Sequence, residues 1–303
     1  MKQFLFGSAA LIVMVTAGAA GAADLARGPV YKAAPVAAPA AYFSWTGFYA
    51  GVNAGGGWEN TQTQYSYAST TALAPPGFQD VFGLGGPLNV IGLSAVDSAI
   101  ARGFLPTSLG KKNVGFFTAG GLIGFNYQIS PVVLGAEVDL NWMNGVRTTN
   151  FVAPPNGIIT NNTTQRAGLR WLGIVRARAG IALDRALVFA TGGWAFGGVT
   201  ATTNASGTDG FTTDLYSGDA SGTRSGYAVG GGIEYALTNY LTVKAEYLYY
   251  NLGTANYAVA AANSVAAGEG LFINASQKFD GSIVRAGLNY RFGWSKAPVV
   301  AGY

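Results

Sequence analysis

The sequence predicts an all-β protein, an eight-stranded antiparallel barrel that spans a membrane. Three observations predict this fold: apolar and polar residues alternate with a period of two in eight segments, long and short connections alternate between those segments, and an export signal opens the chain. Hydrophobic residues make up 50% of the 303 residues and charged residues only 11%, whereas soluble domains carry about 25% charged residues. An exported chain of this composition needs a surface that faces lipid.

The first 22 residues are predicted to be a secretory signal peptide. Lys2 precedes an apolar segment that runs from Phe4 to Ala20, and small residues follow. Cleavage is expected after Ala22, with Ala23 as the neighbouring choice. A retained helical anchor is the alternative, but the second half of the segment is Ala and Gly, and no basic stop-transfer flank follows it. Because no later run of about 18 apolar residues occurs, strands rather than helices are expected to cross the lipid.

Residues 23–44 are predicted to form an extended periplasmic linker, since they contain three Pro and many Ala without a periodic pattern. The barrel is predicted to span residues 45–292. Residues 293–303 then form a C-terminal tail.

Eight segments carry the period-two alternation that is typical of strands with two different faces. They cover residues 48–55, 115–127, 132–142, 166–183, 186–199, 225–236, 241–251 and 281–292. Three connections are short, at 128–131, 184–185 and 237–240, and four are long, at 58–114, 143–165, 200–224 and 252–280. This order predicts short periplasmic turns, long extracellular loops and both termini in the periplasm. Spaced apolar residues within 90–109 fit a short helix in the first long connection.

Charged residues inside the strands fall on the face opposite the apolar one. A Lys or Arg on the lipid side at mid-depth costs roughly 2–4 kcal/mol, so the charged face is expected to point into the barrel. The predicted interior charge network comprises Glu137, Asp139, Arg170, Arg176, Arg178, Glu234, Lys244, Glu246, Arg285 and Arg291. Opposite charges in a narrow interior should pair and plug it, and the alternative is a narrow ion path lined by the surplus Arg.

Aromatic residues near the strand ends are expected to form the two girdles at the membrane interfaces. The predicted interfacial aromatics are Trp45, Trp58, Trp142, Trp171, Tyr247, Tyr249 and Phe292.

The composition argues against catalysis. The chain has no His and no Cys, which excludes Ser-His-Asp triads, thiol nucleophiles and most zinc sites. Glu137 and Asp139 are neighbouring carboxylates on one strand face, but among so many Arg they are expected to balance charge rather than act as an acid and base. The net charge of +4 is scattered, so no nucleic-acid partner is expected. No catalytic residue, cofactor site or metal site is predicted.

Five segments together resemble a family of Gram-negative bacteria, the small outer-membrane surface antigens or outer-membrane immunogenic proteins of the porin-type barrels. They are Trp-Thr-Gly-Phe-Tyr-Ala-Gly-Val-Asn at 45–53, and the segments 124–128, 175–182, 230–236 and 284–292. The resemblance covers residues 45–292 and implies an eight-stranded barrel of the outer membrane that supports envelope integrity and faces the host immune system. One departure is that the chain continues beyond Phe292 to Tyr303, whereas many barrels end on the last aromatic residue, which the assembly machinery reads.

The expected function is therefore a non-catalytic role in envelope structure and as a surface antigen. A narrow diffusion pore is the first alternative, and a loop-mediated adhesin or ligand-binding protein that uses chiefly residues 58–114 is the second. The expected partners are outer-membrane lipid, lipopolysaccharide and the barrel-assembly machinery. Host molecules and peptidoglycan are further candidates.

Overall fold

The computed structural model describes residues 43–69, 106–154, 160–208, 213–263 and 271–292. In these residues the regular elements are twelve β strands that belong to one sheet. They are β1 (Gly47–Glu59), β2 (Thr63–Ser69), β3 (Ser108–Leu109), β4 (Val114–Ile129), β5 (Val132–Met143), β6 (Arg147–Val152), β7 (Thr160–Leu183), β8 (Ala186–Thr208), β9 (Thr213–Asp219), β10 (Gly222–Ala236), β11 (Leu241–Ala261) and β12 (Leu271–Arg291). The described segments hold no helix with the length and hydropathy of a membrane span.

Several predicted features lie outside the described residues. These are the signal peptide at 1–22, the linker except for its last two residues, the short helix within 90–109 up to residue 105, and the tail at 293–303.

The eight longest strands correspond to the eight predicted segments. They are β1, β4, β5, β7, β8, β10, β11 and β12, and each pairs antiparallel with two others of this set. β1 lies between β4 and β12, so that Gly51 is opposite both Leu122 and Asn289. The short connections at 130–131, 184–185 and 237–240 are turns, as predicted, and Ser130 and Asp184 adopt positive φ angles of 56° and 53° there.

The described chain has four strands in addition to the eight predicted, and all four lie in the ranges predicted to be long loops. β2 pairs with β12, β3 with β2, β6 with β7, and β9 with both β8 and β11. These segments contain Ser, Asn, Gln and Asp, which are common in loops, although the Thr, Tyr, Phe and Val of β2 and β6 favour strands. The extra strands form because four long strands offer free backbone edges for pairing. These are β7, β8, β11 and β12, with 24, 23, 21 and 21 residues.

The predicted alternation of faces is present along the eight long strands. Val52, Ile123 and Ile233 are exposed, Ile123 to 63%, while Asn53 and Glu234 on the opposite face are buried. Exposed rings cluster at the short-turn end, where the Phe48 and Phe125 centroids are 4.8 Å apart. The outer surface is thus apolar, whereas the buried charged residues lie on the inner face, which is the reverse of a soluble sandwich.

The alternation is broken once in β7. The register between β7 and β8 shifts between Leu169 and Trp171, so Arg170 is an extra residue in the strand. Because of this bulge Leu169 is fully buried and Arg170 is exposed, so the predicted interior position of Arg170 is wrong. The backbone nitrogen of Gly145 donates to the carbonyl oxygen of Leu169 at 3.1 Å, which holds the bulge in place. Gly168 precedes the bulge with a φ of 137°.

Replacing Gly168 with Ala is expected to lower the free energy of unfolding by about 3 kcal/mol, because a side chain is strained at this φ and its Cβ would lie 2.4 Å from the carbonyl oxygen of Gly145. Gly253 is the matched control, since its φ is 78° and a Cβ there would meet nothing within 4 Å. Gly253→Ala should therefore cost only the backbone strain, about 1–2 kcal/mol. Urea unfolding in detergent micelles measures both losses, and equal losses would contradict this account of the bulge.

Candidate functional site

The interior of the molecule is the candidate site, and Trp45 fills it at the short-turn end. The Trp45 side chain is fully buried, its indole nitrogen donates to the carbonyl oxygen of Asp184 at 3.1 Å, and Phe43 packs edge-on against it at 5.0 Å. The prediction that Trp45 belongs to an interfacial girdle is wrong. The residue precedes the start of β1, so strand alternation does not direct its side chain, and the ring folds inward.

Arg291 also lies at this end rather than among the carboxylates. Its guanidinium donates to the backbone carbonyl oxygens of Ser44, Thr46 and Asn239 and stands 4.6 Å from the centre of the Phe43 ring. Arg291 is buried as predicted, but its hydrogen bonds go to the main chain.

The predicted charge network forms the next layer, and Glu137 is at its centre. Arg176 donates a short hydrogen bond to the Glu137 carboxylate, and Lys244 Nζ lies 3.0 Å from both carboxylate oxygens. The Tyr49 hydroxyl donates to Oε2 of Glu137 at 2.9 Å, and Arg178 is 3.6 Å away. Both oxygens of this buried carboxylate are therefore in contact with cations, and one also accepts from a hydroxyl.

Two further carboxylates share the Arg285 guanidinium. Arg285 Nη2 donates to Asp139 at 3.1 Å, and its Nε donates to Glu246 at 2.6 Å. Arg176 contacts the same two acids, at 3.3 Å from Asp139 and 3.0 Å from Glu246. Both acids are thereby held between two guanidinium groups, which is the pairing that buried charge requires.

Glu234 is the fourth acid of the network. Arg178 Nη2 donates to it at 2.7 Å, Thr242 Oγ1 at 2.6 Å and Asn289 Nδ2 at 2.9 Å. The Arg178 guanidinium also covers the ring of Phe189 at 4.1 Å.

The layer as a whole is electrically neutral. Its members are four acids, Glu137, Asp139, Glu234 and Glu246, and four bases, Arg176, Arg178, Lys244 and Arg285. Arg170 and Arg291, which the sequence placed in the same network, supply the predicted surplus of positive charge and are not part of this layer.

Two glycines lie directly beside network arginines on the neighbouring strand. A Cβ at Gly193 would lie 2.1 Å from the carbonyl oxygen of Val175 and 2.8 Å from Cβ of Arg176. A Cβ at Gly55 would lie 2.2 Å from the carbonyl oxygen of Val284 and 2.7 Å from Cβ of Arg285. Glycine at these two positions therefore lets the strands that carry the arginines approach closely.

An apolar layer lies on the long-connection side of the charges, and the sequence analysis did not identify it. It includes Leu172, Ile174, Leu248, Ile283 and Phe279, each at most 1% exposed. The signal was present, because Leu172 and Ile174 share the strand face of Arg176 in period two. Above them, Tyr250 donates to the buried Glu59 carboxylate at 3.2 Å.

Beyond the apolar layer a polar cluster fills the interior. Thr63 donates to Gln277 at 2.7 Å and accepts from Gln165 at 3.0 Å, while Thr203 lies 3.0 Å from the Tyr65 hydroxyl. Burial raises the pKa of the Tyr65 phenol well above its ordinary value. Four successive layers of side chains thus occupy the interior along its described length.

The remaining predicted interfacial aromatics face outward. Trp58, Trp142, Tyr247 and Phe292 are exposed, and Trp171 and Tyr249 are half-exposed. Trp142 and Trp171 are directly paired between β5 and β7, and Trp171 packs edge-on against Phe196 at 5.9 Å.

Residues 32–292 match the family described as outer membrane protein beta-barrel domain. The chain belongs to this family. It is 33% identical over 294 residues to a 31 kDa outer-membrane immunogenic protein of Brucella melitensis biotype 1, covering 96% of this chain and 100% of the relative. A 22 kDa outer membrane protein of Rhizobium leguminosarum bv. viciae is 28% identical over 165 residues, which are 52% of this chain and 66% of that protein. Among solved structures, outer membrane protease OmpT from Escherichia coli aligns at 12% identity with a TM-score of 0.36, over 84% of this chain and 99% of OmpT.

The predicted resemblance to outer-membrane immunogenic proteins is confirmed by these relatives. The chain is an outer-membrane β-barrel protein of the surface-antigen type from the Gram-negative envelope.

Proposed function

We propose that this protein is a closed eight-stranded barrel that neither conducts nor catalyses, and that it strengthens the outer membrane while presenting its long-connection end at the cell surface. The observation that carries this proposal is the interior, which is filled and in which four acids neutralise four bases. A filled interior whose central charge layer is neutral suits a structural role better than transport.

The strand pairings support closure of the barrel. Starting from Tyr49, a path through directly paired residues crosses all eight long strands and returns to β1 at Glu59, ten positions further along. The path runs through Tyr49, Gly124, Glu137, Arg176, Gly193, Ala228, Tyr250, Gly281 and Glu59. A stagger of this kind is what tilted strands need in order to close.

The strand lengths support the proposed orientation. A strand of about 9–11 residues crosses the membrane, whereas β7 has 24 residues and β11 has 21. The additional residues all lie on the side of the long connections, where β2, β6 and β9 pair with them. Because the long connections of outer-membrane barrels are extracellular, we propose that the short turns and both termini of this protein are periplasmic.

In planar bilayers we expect the refolded mature protein to give no steady conductance. An anion path needs unpaired Arg along the interior, but the guanidinium groups of Arg176, Arg178 and Arg285 are bound to carboxylates, and an apolar layer lies above them. A diffusion porin in the same bilayers controls for sensitivity, and heat-modifiable gel migration controls for folding. Steady, anion-favouring currents from the folded protein would contradict this proposal and support the narrow diffusion pore.

We propose that the protein is not a catalyst because of the residue types that it contains and the pairing of its network acids. The chain has no His or Cys to act as a nucleophile or general base, and the four network acids are all ion-paired. Turnover of a lipid or peptide by the pure folded protein would contradict this part of the proposal.

A further inference from the structure

The wall formed by β4 to β7 is unusually one-sided in charge. Between residues 111 and 183 the only acidic residues are Glu137 and Asp139, and both are buried in the interior network. Outside the network the same stretch carries Lys111, Lys112, Arg147, Arg166 and Arg170. Every charge on this outer wall is therefore positive.

Two of these cations, both on β7, are free to meet a partner from outside. Lys111 and Lys112 are also exposed, but they precede the start of β4. Arg147 donates to the backbone carbonyl oxygens of Asn144 and Gly115, so it is committed to the wall itself. Arg166 and Arg170 are exposed, and within the described residues neither makes an ion pair or a side-chain hydrogen bond.

The β7 bulge is what places Arg170 on the outside. Regular alternation from Arg176 and Arg178 would turn Arg170 into the interior. Instead, the bulge turns both Arg170 and the following Trp171 outward. Bulges that re-aim a side chain in this way are frequent at functional positions.

Both arginines lie on the long-connection side of an aromatic platform on the outer face. The platform is formed by Trp142, Trp171, Trp194 and Phe196, with Trp194 and Phe196 at 5.2 Å and Trp171 and Phe196 at 5.9 Å between ring centres. Arg170 adjoins it, and Arg166 lies roughly 13 Å further along the strand at about 3.3 Å per residue. Trp side chains in such positions mark the boundary between acyl chains and head groups.

We propose that Arg166 and Arg170, with the aromatic platform below them, bind the phosphate groups of an acylated, phosphorylated sugar lipid in the outer leaflet. A guanidinium binds phosphate with two parallel hydrogen bonds, and the exposed rings offer a surface for the acyl chains. A soluble phosphate would use only the arginines, so the platform favours a lipid. This inference rests on the proposed orientation, in which the long connections face the cell exterior.

The test compares two double variants of the full mature protein in zwitterionic detergent micelles, with fluorescent bis-phosphorylated lipid A as the probe and anisotropy as the readout. Arg166→Gln with Arg170→Gln is expected to weaken lipid A binding roughly tenfold. The control is the double variant Arg224→Gln with Lys278→Gln, which removes the same amount of positive charge toward the long-connection end. In the control, Arg224 already donates to Thr254 at 3.2 Å and Lys278 to Asp280 at 3.1 Å, so binding should change by less than about twofold.

Two outcomes would overturn the inference: equal weakening by both double variants, or an Arg166/Arg170 variant that binds like the parent. Competition by soluble glucosamine phosphate as strong as that by lipid A would overturn the assignment to a lipid. Orientation is tested separately by single cysteines, since the chain has none of its own. Asp219→Cys should react with an impermeant maleimide on intact cells and Asn239→Cys should not. The reverse labelling would refute the proposed orientation, whereas correct labelling without selective binding would refute only the lipid site.

Discussion

Replacing Glu137 with Ala is expected to lower the free energy of unfolding by about 3–5 kcal/mol. The substitution removes the acid that Arg176 and Lys244 both contact and leaves these cations buried without enough negative charge. Tyr49 would lose its acceptor as well. The loss is measured from the urea dependence of heat-modifiable gel migration after refolding into lipid vesicles, and Glu137→Gln provides a milder variant if the Ala variant does not refold.

The control for this experiment is Asp280→Ala. Asp280 also pairs with a lysine, at 3.1 Å, but the side chain of Lys278 is 48% exposed. Removing an exposed pair should cost less than about 1 kcal/mol. The double variant Glu137→Gln with Lys244→Gln leaves three acids and three bases in the network, so it should recover part of the loss. If Glu137→Ala, Asp280→Ala and the double variant were equally stable, the network would not be what stabilises the interior.

Replacing Trp45 with Ala is expected to cost about 3–5 kcal/mol, because it removes the largest apolar side chain at the short-turn end and leaves a cavity beneath the charge network. Phe43 and Leu187 would lose their packing partner, and the carbonyl oxygen of Asp184 would lose a donor. The same gel-migration assay measures the change. Trp45→Phe should cost clearly less, since most of the apolar contact remains.

Trp142→Ala is the matched control for Trp45, because Trp142 is 58% exposed on the outer face. Its loss in detergent should be about 1 kcal/mol or less. The Trp45→Ala protein should also remain non-conducting, since the charge network and the apolar layer still fill the interior above it. A larger loss at Trp142 than at Trp45 would contradict the inward position of Trp45.

The neutrality of the charge layer changes how the arginines are understood. A count along the strands suggests six bases against four acids and hence a positive lumen. One of the two additional bases, Arg170, is turned outward by a bulge, and the other, Arg291, is bound to carbonyl oxygens at the short-turn end. The local backbone keeps each of these two arginines out of the charge network, and the four acids and four bases of the network balance.

The sequence by itself determined the fold class, the short turns, and the face on which Glu137, Arg176 and Arg285 lie. These features depend on local chemistry, since a strand has a period of two and lipid does not tolerate charge at mid-depth. Only the tertiary structure decided three others. The bulge at Arg170 depends on how Gly168 packs against Gly145. The inward turn of Trp45 depends on an opening that the eight long strands create together. β6 and β9 form because long neighbouring strands offer them edges for pairing. In each case the deciding contact joins residues that are distant in sequence, and no local pattern records it.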